Sequence, residues 1–203
     1  MKQIINAESG VDQDDVLRKI LQENQIVAVV GLSPRQSRPS HRIATYLLEQ
    51  GYQVIPVNPG YTDILNQTAY PDLKQIPANV DLVDVFRQSV YVPEIVQQAI
   101  DKKVRVVWLQ EGVIHQQAAS AATSAGIMVV MDRCIYRDHK RLIQGIPLGR
   151  ILSDFRSQQG RSVDEVAQHL GISSGELEAL ENSPDEEIRP DMVKRMASAI
   201  EGE

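Results

Sequence analysis

The 203-residue sequence contains one cysteine, one tryptophan and two phenylalanines, and aromatic residues make up only 4% of it. A single cysteine excludes an internal disulfide framework and fits a reducing, cytoplasmic setting. No run approaches the roughly 18 apolar residues that signal a membrane-spanning helix, and Met1-Lys2-Gln3-Ile4-Ile5-Asn6 lacks the apolar core of a signal peptide. Positive charge is also scarce: 21 Lys and Arg face 27 Asp and Glu, a net of −6 that argues against a general polyanion binder. The deficit is local. Ile146 to Glu203 carries 6 basic and 12 acidic residues, whereas Met1 to Gly145 carries 15 of each. Internal repeats and low-complexity segments are missing, and His115, His139 and His169 are too scattered to suggest a metal-ligand cluster.

What is present is organised around Ile26 to Asn58. Ile26-Val27-Ala28-Val29-Val30 is a β-branched, apolar run that reads as a strand buried on both faces. Gly31 ends it, Ser40 opens a helical pattern running to Gln50, and Tyr52 to Val57 reads as a second strand. Strand, glycine turn and helix N-terminus together make an anion site, because unpaired backbone N–H groups and the helix dipole converge there. Arg35, Ser37, Arg38 and Ser40 add charge and hydroxyls around that point. The dinucleotide pattern G-x-G-x-x-G is missing, as is the acidic residue expected roughly 20 residues later. No G-x-x-x-x-G-K-[ST] occurs either, which excludes a P-loop nucleotidase.

Further on, residues 81–85, 104–108 and 127–130 read as strands, and Pro93 to Asp101 and Val113 to Ser124 as helices. A helix over Asp12 to Gln22 precedes the first strand, residues 1–10 read as loosely ordered, and 59–77 as turn-rich. This alternation predicts an α/β fold, a Rossmann-like five-stranded parallel sheet with strand order 3-2-1-4-5. Ligands of such sheets bind at the C-terminal strand ends. There stand Gly31, Asn58, Phe86-Arg87, Gln110-Glu111-Gly112 and Asp132-Arg133-Cys134.

Past Gly145 the texture becomes helical, with patterns over Pro147–Gln159, from the capping box Ser162-Val-Asp-Glu165, over Ser174–Asn182 and over Pro190–Ile200. The chain is therefore expected to divide into domains 1–145 and 146–203, the second a small all-α unit.

The residues Val27-Ala28-Val29-Val30-Gly31-x-Ser33, Arg38-x-Ser40, Tyr46-Leu47 and Gly51-Tyr52-x-Val54-x-Pro56-Val57-Asn58-Pro59 resemble the small CoA-binding proteins. The likeness continues through Val80-Asp81-Leu82-Val83-Asp84-Val85-Phe86-Arg87, Val107-Trp108-Leu109-Gln110-x-Gly112, Ala125-Gly126, Val129-Val130-Met131-Asp132-Arg133-Cys134 and His139-x-Arg141-Leu142. The Rossmann-like domain of that family is similar to the nucleotide-binding domain of the succinyl-CoA synthetase α subunit. The resemblance implies coenzyme A or acyl-CoA as ligand. It implies that, in the phosphate loop of Gly31, Ser33, Arg38 and Ser40, Ser33 and the adjacent backbone take the pyrophosphate with Arg38 and Ser40 nearby, and that Pro56-Val57-Asn58-Pro59 and Phe86-Arg87 flank the adenosine. Gln110, Gly112, Asp132, Arg133 and Cys134 complete the expected site. His41 stands where the family usually has tyrosine, and Asp138 where it usually has Glu. Asn58 reads either as a ligand contact or as a turn former before proline, and Arg87 as a phosphate ligand or a cap on the sheet edge. Trp108 reads as core. Cys134 reads as structural or ligand-proximal, because no catalytic base accompanies it.

The segment Ala167-x-x-Leu170-Gly171-Ile172-Ser173 with Leu177, Leu180 and Glu181 resembles a Cro/repressor-type helix-turn-helix. Its second helix offers Glu176, Glu178 and Glu181 and no basic residue, a poor match to phosphates and base edges. The expected function is thus non-catalytic CoA or acyl-CoA binding, as a metabolite sensor coupled to a helical output or assembly module that can self-associate. A CoA-responsive DNA-binding regulator and a small acyl-CoA-processing enzyme remain as alternatives.

Overall fold

The computed structural model describes residues 4–6 and 13–201. The chain forms two compact units that divide between Tyr136 and Arg137. Among the described residues, no helix is long and apolar enough to cross a membrane.

The first unit is a parallel sheet of six strands: β1 (Ile4–Asn6), β2 (Ile26–Val30), β3 (Gln53–Val57), β6 (Leu82–Val85), β7 (Val106–Leu109) and β8 (Met128–Met131). The short antiparallel pair β4 (Asp63–Ile64) and β5 (Gln67–Thr68) lies in the connection after β3. Helices α1 (Asp14–Glu23), α2 (Pro39–Glu49), α3 (Val92–Asp101) and α4 (Gln116–Ser124) join the strands. Continuous β-branched runs suit strands covered on both faces, and β6 and β7 are buried throughout.

Two expectations are corrected here. The sheet runs β1-β8-β7-β6-β2-β3, so the five anticipated strands stand in the order 2-1-3-4-5 rather than 3-2-1-4-5. The reason lies in the segment between β3 and β6. It carries no helix, and its Leu73, Ile76 and Val80 pack in one cluster with Ala28, Val30, Ile55 and Val57 and with Ile95 and Ala99 of α3 and Ala118 and Ala119 of α4. It therefore shares a sheet face with α3 and α4. Right-handed crossovers on one face all advance the same way, which carries β6 back past β2. The second correction concerns Ile4–Asn6, expected to be loose. These residues pair with Val129–Met131 as an edge strand, because Ile4-Ile5 can close the apolar side of β8. The rest of the anticipated loose segment, including residues 7–10, lies outside the described residues.

The order places the topological switch between β2 and β6, where the chain leaves toward opposite sides of the sheet and ligands of open α/β sheets bind. After β8 a helix absent from the sequence reading, α5 (Ile135–Leu142), carries the chain on. Its Tyr136 meets Tyr46 of α2 edge-to-face, ring centroids 4.7 Å apart.

The second unit is helical: α6 (Leu148–Gln158), α7 (Val163–Leu170), α8 (Ser174–Glu181) and α9 (Pro190–Glu201). Its core joins Leu152, Val166, Leu170, Leu177, Val193, Met196 and Ile200. Capping boxes at Ser162/Glu165 and Ser173/Glu176 start α7 and α8, and Gly171 ends α7 in the left-handed conformation at φ 71°. Gly149 of α6 lies against the end of α8, where an added Cβ would come within 2.6 Å of the Glu181 carbonyl oxygen.

Candidate functional site

The loop after β2 is held by its own polar atoms. Gly31 turns the chain at φ 88°, and its N–H donates to the Val57 carbonyl at 2.9 Å. A Cβ there would stand 2.7 Å from the Phe86 carbonyl oxygen and 2.9 Å from Cδ of Arg87, so the close approach of the two loops at the switch point requires glycine. Ser33 N–H donates to Oγ of the buried Ser40 at 3.1 Å, Arg35 N–H donates to Ser33 Oγ at 3.2 Å, and His41 Nδ1 lies 3.0 Å from the Ser33 carbonyl. Arg38 is the N-cap of α2 and makes no side-chain cap, which leaves its exposed side chain for solvent or ligand. Among the described residues, the N–H groups of Gln36 and Ser37 have no protein acceptor. The result is a braced loop with donors and two exposed arginines, Arg35 and Arg38, at the positive end of a helix.

Asn58 links this loop to the next strand. Its Nδ2 donates to the Leu32 carbonyl at 2.9 Å while its Oδ1 accepts from Gly60 N–H at 2.9 Å. It is thus at once a turn former and a brace between the loops after β2 and β3, between buried Val57 and exposed Pro59. Phe86 N–H donates to the Val30 carbonyl at 2.9 Å, and the Arg87 guanidinium lies 4.5 Å from the Tyr91 ring centroid.

Farther along the edge a second set of ties joins β6, β7 and β8. Asp132 adopts φ 61°, a sparsely populated conformation for a non-glycine residue, and its Oδ1 accepts from Gly112 N–H at 2.8 Å. Trp108 is fully buried and donates through Nε1 to the Arg133 carbonyl at 2.7 Å, so it is both core and a strut for the loop bearing half-buried Cys134. Gln110 Nε2 donates to Oδ1 of Asp84 at 2.7 Å. Asp84 is fully buried, its Oδ2 has no partner, and burial pushes its carboxyl up to about 7 against the lowering effect of the Gln110 hydrogen bond and of the nearby Val85 backbone N–H. Ile114 N–H donates to Ser89 Oγ at 3.0 Å and so ties the β7 loop to the one after β6.

The structure thus brings Gly31, Ser33, Arg38, Ser40, Val57, Asn58, Phe86 and Arg87 around the switch point. It places Gln110, Gly112, Asp132, Arg133 and Cys134 on the adjoining loops of the same edge. The sequence reading passed over Asp84. A carboxylate inside the apolar run Leu82-Val83-Asp84-Val85 is the signal that would have marked it. It also passed over Tyr91, whose partnership with Arg87 needs the three-residue turn Ser89–Tyr91 and leaves no sequence trace. Among the described residues, no group of three or more His, Cys, Asp or Glu is placed to hold a metal ion.

In the helical unit, the carboxylates of α8 divide by role. Glu176 accepts from the N–H and hydroxyl of Ser173, and Glu181 forms a two-pronged ion pair with Arg156 at 2.7 and 2.9 Å, while Glu178 is exposed. Asp164 of α7 accepts from the Ser174 hydroxyl.

Comparison with known proteins places the sheet unit in a family. The family described as CoA binding domain (CoA_binding_2) matches residues 25–140. An uncharacterized protein of Bacillus subtilis (strain 168), YneT, is 36% identical over 123 residues, covering 61% of this chain and 91% of that protein. The ADP-forming acetate–CoA ligase I of Archaeoglobus fulgidus is 24% identical over 176 residues, 78% of this chain but 26% of the ligase. Among solved structures, a hypothetical protein from Pyrococcus horikoshii OT3 is 36% identical with a TM-score of 0.65, covering 70% of this chain and 99% of that one.

Proposed function

The chain belongs to the CoA-binding domain family, and from that premise we propose that its sheet unit binds coenzyme A or an acyl-CoA and performs no chemistry on it. The observation that carries this reading is the convergence at the β2/β6 switch point of the Gly31–Ser40 loop, the N-terminus of α2, Asn58 and Phe86–Arg87. Ser33, the neighbouring backbone and Arg38 face the pyrophosphate. Val57, Asn58, Pro59, Phe86 and Arg87 border the adenosine. The pantetheine arm then runs toward Gln110, Gly112 and Asp132–Cys134. Support for a binding role comes from the way the polar groups brace one another: Ser40 holds Ser33, Asp132 holds Gly112, and Trp108 holds Arg133. Such a site is preorganised for recognition.

The helical unit serves as an assembly or output module. Its α8 presents Glu176 and Glu178 outward and has no Arg, Lys, Asn or Gln within Ser174–Glu181, which favours a protein partner or a second copy over DNA.

Calorimetry with CoA, acetyl-CoA, NAD and ATP tests the first reading. CoA binds in preference to NAD and ATP, and Gly31→Ala abolishes that binding because its Cβ would collide with the Phe86 carbonyl. Preferential NAD binding would overturn the proposal. Release of free thiol from acetyl-CoA, lost on replacing Asp132 or Cys134, would replace it with an acyl-CoA-processing enzyme.

A further inference from the structure

Of the buried side-chain atoms left without a partner among the described residues, Asp84 Oδ2 alone belongs to a carboxylate. It stands in β6 directly across from Val29 of β2 and Trp108 of β7, on the strand that borders the switch point. A buried acid is normally paired with a cation or has each oxygen hydrogen-bonded. Asp84 has instead the amide of Gln110, two residues farther along the neighbouring strand and on the same sheet face.

The direction of that bond has a chemical consequence. An ionised carboxylate offers acceptors only, so it takes the NH2 end of the amide and turns the carbonyl end away. Gln110 Oε1 has no protein partner, and it is not among the buried unsatisfied atoms although the residue as a whole is 5% exposed. The Gln110 backbone is pinned as well: its N–H donates to the Val85 carbonyl at 3.4 Å and its carbonyl accepts from Val113 at 2.9 Å. Beside it, Gly112 is latched to Asp132. An acceptor oxygen is thus fixed at the C-terminal edge, between the Phe86–Arg87 loop and the Asp132–Cys134 loop.

We propose that Asp84 is a positioning residue that locks Gln110 with Oε1 toward the ligand, so that this part of the cleft selects a hydrogen-bond donor on the ligand's arm. The donor is an amide N–H or the thiol S–H of a pantetheine-type chain. This inference rests on the CoA reading and adds to it the residue that sets donor selectivity at the arm.

Calorimetry at about pH 8.5, where Asp84 is ionised, tests it with three probes: CoA, acetyl-CoA, and adenosine 3′,5′-bisphosphate, which keeps the nucleotide end and lacks the arm. Gln110→Met, which keeps the length and removes the acceptor, loses about tenfold in CoA affinity and binds the bisphosphate as wild type does. Asp84→Asn, which satisfies either end of the Gln110 amide, shows a smaller loss of the same selectivity. Acetyl-CoA affinity falling in parallel assigns the donor to an amide N–H; a loss confined to CoA assigns it to the thiol. Undiminished CoA binding by Gln110→Met would overturn the inference, as would an equal loss for CoA and the bisphosphate, the mark of a merely structural role. Failure of wild type to bind CoA would bring down the CoA reading and this inference together. Thermal melts of both variants accompany the titrations. Should Asp84→Asn not fold, Gln110→Met decides the matter by itself.

Discussion

Each unit buries one carboxylate of special interest, and the two are treated differently. In the helical unit, Glu181 meets Arg156 through two short bonds, with side chains only 6% and 12% exposed. That pair joins α6 to α8 and leaves both carboxylate oxygens occupied. In the sheet unit, Asp84 is more deeply buried and faces no such cation: one oxygen takes the Gln110 amide and the other takes nothing. A carboxylate buried for architecture is matched with charge. One left half-satisfied at the ligand edge of a sheet costs stability, and that cost is tolerated where the group orients something else. The contrast sets Asp84 apart from a carboxylate buried for architecture alone.

The comparison breaks most visibly at the ion pair. Arg156→Leu leaves Glu181 buried without its partner and destabilises the helical unit by about 3–5 kcal/mol, because an uncompensated buried charge is costlier than the pair was favourable. Denaturation of the full chain followed by far-UV circular dichroism shows an earlier loss of helix. Trp108, the sole tryptophan and a fully buried residue of the sheet unit, reports a fluorescence transition that stays in place. Adding Glu181→Leu to Arg156→Leu recovers much of the loss, since an apolar pair can replace a buried ion pair. A helical unit as stable in Arg156→Leu as in wild type would mean that Glu181 is matched some other way.

At Asp84 the expected effect depends on pH. Burial holds the folded carboxyl at about 7, against an ordinary value of 3.8. Between those values the folded state binds more protons than the unfolded state, so the contribution of Asp84 to stability falls as pH rises through the window and is lowest above it. Carboxylates with lowered values act in the opposite sense, so the informative quantity is the difference between wild type and Asp84→Asn. Followed by Trp108 fluorescence, Asp84→Asn gains on wild type as pH rises from about 4 to about 7, and the difference levels off beyond. A flat difference would mean that Asp84 is ionised throughout.

The sequence carried the periodic parts of this fold well. The apolar runs at residues 26–30 and 104–108 announced buried strands, and Ser162-Val-Asp-Glu165 announced the start of α7. It misplaced the strand order because hydropathy gives a strand's faces and not its neighbours; which face the helix-free segment 58–81 covers is decided by Leu73, Ile76 and Val80 in three dimensions. Helix α5 escaped notice because His139, Lys140 and Arg141 obscure its short apolar face. At the strand ends, residue types marked the loops where the candidate site is proposed. The hydrogen bonds that give those residues distinct tasks span 20 residues between Gly112 and Asp132 and 26 between Asp84 and Gln110, beyond the reach of any local pattern.

Ser40 offers the finest test of the line between scaffold and site, because it is buried, polar and satisfied, yet sits in the loop proposed to hold the ligand. Its Oγ accepts from Ser33 N–H at 3.1 Å, and the hydroxyl fixes where the loop's backbone donors point. Ser40→Ala leaves the Ser33 N–H without that acceptor and costs about 1 kcal/mol of stability in the sheet unit. Loss of the brace loosens the loop at the pyrophosphate rather than at the arm. The variant therefore loses affinity for CoA and for adenosine 3′-phosphate 5′-diphosphate, which keeps the pyrophosphate and lacks the arm, by the same factor, about threefold to tenfold. That pattern is the opposite of the arm-selective loss expected of Gln110→Met, and calorimetry with CoA and the diphosphate distinguishes them. A Ser40→Ala protein that kept full affinity for the diphosphate while weakening toward CoA would move the nucleotide end away from the α2 N-terminus and reverse the assignment of the two halves of the edge.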